Sequence, residues 1–490
     1  MEKTTVILVT LIAYKASLVG IGLWASRRIR DETDFLLGGR KLGAWVAGLS
    51  YAASTSSAWA LLGFSGFMFT YGVAALWMLP GIWGGYVLVW LWFGPLLGRE
   101  SRERRWVTPT DFLCANVATA ERARIAALAT LLIAFCFIFY IAAQFDAAAT
   151  AFTTNFAMGK AASLLLSAGI ILIYCLLGGF WAASVTDTLQ GLVMMLAAIL
   201  VPVFAVIAAG GPAEILAGLD QAEPAFRDWS GGYVGFTLTG FVLGMAGVGL
   251  GACGQPQLLA RLMAVRGERE RKRGFMIAIT WAVIVYVGMS WLALSARSLA
   301  LAPDTGEQIF YLLADSLLPP VLAGIVIASI LSAVMSTVDS LLLAASAAVA
   351  HDLGLAQRTK RGEVWISRIV MTLIVVAAVV LALSLPDTIF NRVLFAWSAL
   401  GAAFGPLVIA RVMRREPPAA ARFWSIATGF GLTVAFYVLG TFAPAEAGNA
   451  AMAVLIDLAT MPGDPFERAI PFVPPLLILF LWPGSLRPVA

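Results

Sequence analysis

The sequence has 490 residues, of which 60% are hydrophobic and 12% charged, and its net charge is +5. A soluble domain carries roughly twice that charged fraction, so the lipid bilayer must surround most of this chain. The composition excludes a soluble protein, and basic loops beside a membrane explain the positive charge better than a nucleic-acid partner does.

Apolar stretches long enough to cross a bilayer recur along the whole chain. There are thirteen, at residues 5–25, 43–70, 75–97, 125–157, 161–182, 187–209, 233–257, 275–297, 318–349, 365–385, 388–412, 422–443 and 469–486. They predict an all-α integral membrane protein that forms a single transmembrane domain over residues 1–490 and is surrounded by membrane lipid, with no obligatory protein partner.

Basic residues concentrate in alternate loops between these stretches. Loops 26–42, 98–124, 258–274, 350–364 and 411–422 carry most of the arginines and lysines, and the loops between them are poor in both. Basic loops stay on the cytoplasmic side. We therefore expect a multi-pass protein of the cell membrane, with its N-terminus outside and its C-terminus in the cytoplasm.

Two of the predicted spans contain residues that interrupt a helix. The second span includes the serine-rich run at residues 50–57, and the seventh includes four glycines and a proline at residues 247–256. Interrupted helices at matching positions of two halves are typical of inverted-repeat transporters. The sequence predicts a first repeat at 43–209 and an inverted second repeat at 231–413, with peripheral segments at 1–42 and 422–490.

The ninth span carries oxygen-bearing side chains and a carboxylate. Helical spacing places Ala333, Ser336, Thr337 and Ser340 around one face of the helix. Asp339 lies three residues after Ser336. With backbone carbonyls freed near Ala53 and Ser56, these oxygens would form a mostly neutral cage for a monovalent cation. Packing through small residues explains the spacing equally well, but it does not require an acid within the membrane.

Asp187 has two interpretations. Either Ser184 or Asp187 caps the sixth span, where a helix N-terminus favours an acid, or Asp187 joins Asp339 and Ser340 in a second cation site. The residues themselves favour the cap.

Other polar and aromatic residues are less specific. Gln144 and Asp146 face either a water-filled cavity or the outer surface, and Trp59 belongs either to a solute pocket or to a membrane interface. The single histidine, His351, makes a histidine proton relay unexpected. The chain has no Walker motif and no nucleophile–base pair, which disfavours ATP-driven transport and an enzyme.

Several motifs, in their order along the chain, resemble the sodium:solute symporter family. They include residues 34–43, 53–63, 178–190, 254–261, 335–340 and 396–406, which are spread over most of the chain. The resemblance implies a leucine-transporter-type fold with five-plus-five inverted repeats. It also implies sodium-coupled uptake of a small organic solute, with Na⁺ as the coupling ion and proline or a related amino acid as the expected solute.

The resemblance also implies site residues. The sodium site would comprise the carbonyls of Ala53 and Ser56 with Ala333, Ser336 and Thr337, and a second sodium site would comprise Asp187, Asp339 and Ser340. The resemblance shifts Asp187 from cap toward ligand. The residues expected to bind solute are Ser57, Trp59, Tyr140, Gln144, Val248, Ala252 and Gln255.

The chain departs from the family's proline-transporting pattern at three positions in and beside these sites. Thr55 replaces an aspartate, and Val248 and Ala252 replace aromatic residues, so we expect a wider and less aromatic pocket. Residues 140–145 also resemble pantothenate-type members, which leaves an organic anion, of the pantothenate or monocarboxylate type, as an alternative solute. A solute-sensing membrane domain is the alternative from another class.

Overall fold

The computed structural model describes residues 9–483, except residues 11, 15, 19, 22–31, 157, 178, 223, 356–362, 385–387 and 443–448. Within these ranges the secondary structure is helical apart from one parallel bridge between Leu42 and Val265. Nine helical stretches of the described chain are long and apolar enough to cross a membrane. The all-α membrane architecture predicted from the sequence is confirmed.

Fifteen helices carry the description that follows. They are α1 (Ala44–Ala58), α2 (Phe64–Tyr71), α3 (Met78–Val87), α4 (Gly94–Glu103), α5 (Thr119–Phe156), α6 (Lys160–Leu177), α7 (Phe180–Ala208), α8 (Gly235–Gly247), α9 (Pro256–Ala264), α10 (Glu268–Ser298), α11 (Pro320–Ala347), α12 (Glu363–Ser384), α13 (Ile389–Val412), α14 (Ala419–Phe442) and α15 (Val473–Leu481). Shorter helices lie in the connections, at Glu32–Leu37, Pro109–Leu113, Pro212–Ala222, Ile309–Leu317, Ala450–Ala459 and Pro465–Arg468.

The count of thirteen spans stays a prediction. The predicted span 5–25 falls largely outside the described residues, although its described part is helical. The described apolar part of α6 and the nine-residue α15 are shorter than a full crossing.

Two predicted spans lie in one continuous helical stretch, Ala44–Glu103. The chain reverses within it near Gly72, whose φ is 72°. The reversal brings the Tyr51 ring against Tyr86 and Trp90, with ring centroids 5.3 and 5.1 Å apart. The spans 43–70 and 75–97 are therefore antiparallel neighbours.

Both predicted helix breaks are present. The first lies at Ser57, whose φ of 51° and ψ of −170° are not helical. The second separates α8 from α9. Here a 3₁₀-helical turn at Val248–Gly254 is followed by Gln255, whose backbone is extended. Glycine is required in this turn, because a Cβ on Gly254 would lie 2.1 Å from the Leu400 carbonyl oxygen.

The broken helices surround a buried core. Helix α11 packs against α1, α5 and α7, and α13 packs against the turn Val248–Gly254, α5 and α14. Most residues of α11 and α13 are buried. This places the oxygen-bearing face of α11 directly against the first break.

The basic loops meet on one face of the molecule. Arg411 pairs with Glu100 at 2.9 Å, and the Thr108 hydroxyl donates to Asp352 at 2.7 Å. At the opposite face the Trp77 indole N–H donates to the Trp229 carbonyl at 3.0 Å. The described residues of loops 98–124, 350–364 and 411–422 therefore lie next to one another.

Candidate sodium and solute site

Helices α1 and α11 are in direct contact next to the first break. The Ser54 hydroxyl donates to the Ser336 carbonyl at 3.1 Å and lies 3.0 Å from the Ser340 hydroxyl. The predicted sodium residues flank this contact, and all are fully buried: Ala53, Ser56, Ala333, Ser336 and Thr337. The structure thus brings the two predicted halves of the cage together.

Two hydroxyls at this contact lack a well-formed hydrogen bond. The Ser56 and Thr337 side-chain oxygens are buried and make no hydrogen bond of normal geometry to any part of the chain that the structure describes. The Ser56 hydroxyl has the hydroxyls of Tyr86 and Tyr286 near it. An unpaired buried hydroxyl costs about 1–3 kcal/mol, so such atoms call for a ligand or another explanation. By contrast, the Ser336 hydroxyl donates to the Ala333 carbonyl at 3.1 Å.

At the first break, backbone N–H groups donate hydrogen bonds to side-chain oxygens. The Ala58 N–H donates to Gln144 Oε1 at 3.2 Å, and the Trp59 N–H donates to the Ser57 hydroxyl at 3.0 Å. A helix end of this kind leaves carbonyl oxygens of the preceding turn available to other groups. The break therefore offers acceptors toward α11.

The capping interpretation of Asp187 is wrong. Helix α7 begins at Phe180 after Gly179, which provides no side-chain cap, so Asp187 lies inside the helix. Its carboxylate is fully buried, and it accepts a hydrogen bond from the Ser50 hydroxyl at 2.7 Å.

Arg261 is the partner of Asp187 that the sequence did not reveal. The Arg261 guanidinium lies 2.8 Å from the Asp187 carboxylate and 2.5 Å from the Ser340 hydroxyl. Only 2% of the Arg261 side chain is exposed. From its sequence position Arg261 belongs to a basic loop. One feature of the sequence could have indicated that Arg261 is buried in a helix: it lies four residues after Gln257 in a short helix that starts at a proline.

A narrow cavity of about 390 Å³, which includes space open to solvent, lies beside the first break. Four predicted solute residues line it, namely Trp59, Tyr140, Val248 and Ala252. The remaining walls are Thr55, Ile82, Tyr86, Gly249, Tyr286, Val393, Leu394 and Trp397.

The cavity wall carries unpaired polar atoms among apolar surfaces. The Trp59 indole N–H and the Tyr140 hydroxyl are buried and have no hydrogen-bond partner in the described ranges. A few polar groups set in an apolar wall are typical of sites that orient a small solute.

The other predicted solute residues lie outside this wall. Ser57 and Gln144 bind the backbone at the first break. Gln255 is fully buried, and its amide N–H groups donate to the carbonyls of Gly251 and Trp397 at 3.1 and 3.0 Å. Gln255 therefore joins the second break to α13.

A vestibule of about 1720 Å³, which includes space open to solvent, lies on the side of the cavity away from the basic loops. Phe390 stacks on Trp59 and on Phe67, with centroids 5.6 and 4.3 Å apart, and these rings separate the cavity from the vestibule. Asp146 lines the vestibule, where it pairs with Arg392. Of the two positions that the sequence allowed for Asp146, a water-filled cavity or the outer surface, the structure shows the water-filled cavity.

Asp111 holds loops together on the basic face. Burial opposes its ionisation, but hydrogen bonds from His351, Arg122 and the Thr108 backbone lower the pKa of Asp111 to about 2. The Arg122 guanidinium lies 2.6 Å from its carboxylate.

Comparison with known proteins decides the family. The model of the sodium:solute symporter family matches residues 35–429. The chain belongs to the sodium:solute symporter family. It is therefore a transporter rather than an enzyme, and it carries out sodium-coupled symport of a solute across a membrane.

Similar members of the family include three bacterial proteins. The sodium/proline symporters of Salmonella typhimurium and Escherichia coli are each 33% identical over 426 residues, which is 84% of this chain and 84% of each relative. The high-affinity proline transporter PutP of Bacillus subtilis is 31% identical over 79% of this chain and 83% of its own length.

Solved structures confirm the leucine-transporter-type fold. A Na⁺-coupled sialic acid symporter in a substrate-bound, outward-open state has a TM-score of 0.71 at 18% identity and covers 96% of both chains. MhsT in complex with L-phenylalanine has a TM-score of 0.55 at 15% identity, covering 89% of this chain and 97% of its own. At these identities the likeness shows the fold alone.

Proposed function

We propose that this symporter takes up proline or a closely related amino acid together with sodium. The relatives named as proline symporters and transporters support this solute. The small cavity beside the first break also supports it, because it combines apolar walls with a few unpaired polar atoms.

The proposed sodium site lies between α1 and α11. Its ligands are the carbonyls of Ala53, Ser56 and Ala333 with the hydroxyls of Ser336 and Thr337. The observation that carries the proposal is the unpaired, fully buried Thr337 hydroxyl beside the break in α1. A desolvated hard cation needs such oxygen ligands.

Solute and sodium share the first break in this proposal. The amino-acid carboxylate takes the Ala58 N–H from Gln144 Oε1, because backbone donors at an interrupted helix suit an anionic group. The side chain of the solute lies against Val248 and Ala252, whose small size leaves room for a ring. Sodium fixes the shape of the break and thereby tightens the solute site, and the linkage is reciprocal.

The proposed direction is uptake into the cell. The basic face, with the C-terminus, lies in the cytoplasm, and the vestibule opens outward. One positive charge that moves inward contributes about 2.3 kcal/mol per 100 mV, which supports roughly a fifty-fold solute gradient before the sodium gradient is counted.

The test is uptake into proteoliposomes with a panel of labelled amino acids and carboxylates, with and without an inward sodium gradient. We expect proline or a near relative to accumulate only with sodium. Selective accumulation of a pantothenate-like or monocarboxylate anion would replace the amino acid as solute. Accumulation that ignores sodium would contradict the coupling.

A further inference from the structure

Two of the three residues expected to form a second sodium site, Asp187 and Ser340, are engaged by one arginine side chain. Arg261 Nη2 donates to the Asp187 carboxylate at 2.8 Å, to the Ser54 hydroxyl at 2.7 Å and to the Ser340 hydroxyl at 2.5 Å. Its Nε donates to the Ser50 hydroxyl at 2.8 Å, and Nη1 donates to the Gln257 carbonyl at 2.9 Å. The guanidinium therefore touches α1, α7 and α11 at once.

A guanidinium supplies the charge that a sodium ion would supply. It stays protonated in proteins, so Arg261 and an ionised Asp187 form a neutral buried pair. The hydroxyls of Ser50, Ser54 and Ser340 direct their oxygens at this cation. A second cation in the same place would meet the repulsion of a like charge and would have to take these oxygens from Arg261.

At the predicted sodium site, by contrast, buried hydroxyl oxygens remain available to a cation. Ser56 and Thr337 keep hydroxyls that bind no group in the described part of the chain, whereas the Ser340 hydroxyl of the second set is occupied. Asp187 Oδ1 and Asp339 Oδ2 also bind no group in that part of the chain. The place between Asp187, Ser54 and Ser340, however, is already filled by an attached cation.

Arg261 also belongs to a helix that follows a break. It lies on α9, directly after the interrupted turn that separates α9 from α8. Its contacts with α1 and α7 join the second predicted repeat to the first. The attached cation is thus part of the element that an alternating-access movement would displace.

We propose that Arg261 is a built-in cation that takes the place of a second sodium ion, so that each solute molecule moves with one sodium ion. The proposal rests on the sodium-coupled symport argued above and specifies its stoichiometry. It assigns Asp187 and Ser340 to holding Arg261 rather than to holding sodium in this state of the protein.

The experiment measures the balance of gradients in proteoliposomes at zero membrane voltage. Labelled proline is loaded inside at a series of concentrations, and a tenfold inward sodium gradient is applied. Net proline flux vanishes at a tenfold proline gradient if one sodium ion moves per solute, and at a hundredfold gradient if two move.

We expect the wild-type protein and Arg261→Lys to balance at tenfold, because both keep a cation in place. We expect Arg261→Gln to balance at a hundredfold gradient, because sodium then occupies the vacated place beside Asp187. Asp339→Asn should balance at tenfold, since Asp339 holds no second sodium in this proposal.

Wild-type balance at a hundredfold gradient would overturn the proposal, and so would a tenfold balance in an active Arg261→Gln variant. If that variant does not fold, ²²Na⁺ binding to purified wild-type protein decides, with one ion per chain expected and two contradicting the proposal. Proline flux that does not respond to sodium in the wild type would instead contradict the proposed function.

Discussion

Ser336 and Thr337 lie near the first break, whereas Ser346 on the same helix does not. Ser346 donates to the Leu343 carbonyl of its own helix and lies away from the first break. The Thr337 hydroxyl is unpaired in the described chain, and Ser336 lies at the contact with Ser54. In the proposed function, both oxygens are sodium ligands and not packing groups.

Replacing both residues with alanine tests this assignment. Hydrogen bonds to charged groups contribute about 1.5–3 kcal/mol, so Ser336→Ala with Thr337→Ala should raise the sodium concentration for half-maximal uptake by tenfold or more. Sodium-dependent uptake in proteoliposomes is the readout. Ser346→Ala is the matched control and should leave it unchanged. An unchanged sodium requirement in the double variant would rule out these ligands.

Tyr140 offers a single-atom test of the solute cavity. Its hydroxyl makes no hydrogen bond of normal geometry within the described residues and has only the Ser57 side chain near it, so Tyr140→Phe costs the empty protein little. We expect the KM for solute to rise several-fold, because a bound solute loses one hydrogen bond of about 0.5–1.5 kcal/mol. Tyr233→Phe in the loop before α8 serves as control. Equal KM values for wild type and Tyr140→Phe would remove Tyr140 from the solute contacts.

At the scale of elements, the two broken helices are stabilised differently. The second break depends on glycines and on Gln255, which joins the turn to α13. The first break depends on Ser57, a non-glycine residue in a backbone region that is nearly restricted to glycine. Strain at a binding site of this kind persists because surrounding contacts impose it.

Ser57→Gly should stabilise the protein. Glycine removes a backbone cost of order 1–3 kcal/mol, part of which is offset by losing the hydrogen bond between the Ser57 hydroxyl and the Trp59 N–H. The apparent Tm in detergent is expected to rise. Ser57→Ala keeps the strained φ and loses the hydroxyl, so its Tm should fall. Equal gains in both variants would show that strain at Ser57 is not the cause.

Gln255→Leu distinguishes a structural role from a solute-binding one. The carbonyls of Gly251 and Trp397 lose their donor, at about 1–3 kcal/mol for each buried group. The variant should lower Tm while the protein that remains folded keeps its KM for solute. A tenfold rise in KM at unchanged Tm would instead restore Gln255 to the solute site.

At the scale of the whole molecule, charged groups join the loops of the basic face. Asp111 accepts hydrogen bonds from the Thr108 and Val107 backbone N–H groups and pairs with Arg122. The pKa of Asp111, about 2, lies below the ordinary aspartate value of about 3.9. Its ionised form therefore stabilises the folded state.

Because the pKa of Asp111 is lowered in the folded state, the stability that Asp111 contributes depends on pH. The stabilisation is fully present above pH of about 4 and is lost as the pH falls through about 2. The Tm difference between wild type and Asp111→Asn should be largest near neutral pH and smaller at about pH 3. A difference that grows on acidification would contradict the ionised, paired state of Asp111.

The sequence predicted the parts of the molecule that depend on local patterns. Hydropathy located the helices, and the serine and glycine runs located both breaks, because each reflects residues next to one another in the chain. The partner of Asp187 was not predictable in this way. Arg261 lies 74 residues from Asp187, and only the packing of α9 against α1 and α7 brings them together. The role of Gln255 likewise depends on a contact with α13.

The most direct test of the whole account is the linkage between sodium and solute in the purified protein. The Kd for proline is measured without sodium and at saturating sodium, and the Kd for sodium is measured with and without proline. The account predicts that both affinities improve by the same factor, and that the factor falls toward one in the Ser336→Ala, Thr337→Ala double variant. Proline binding that is indifferent to sodium in the wild type, or linkage that survives intact in the double variant, would contradict it.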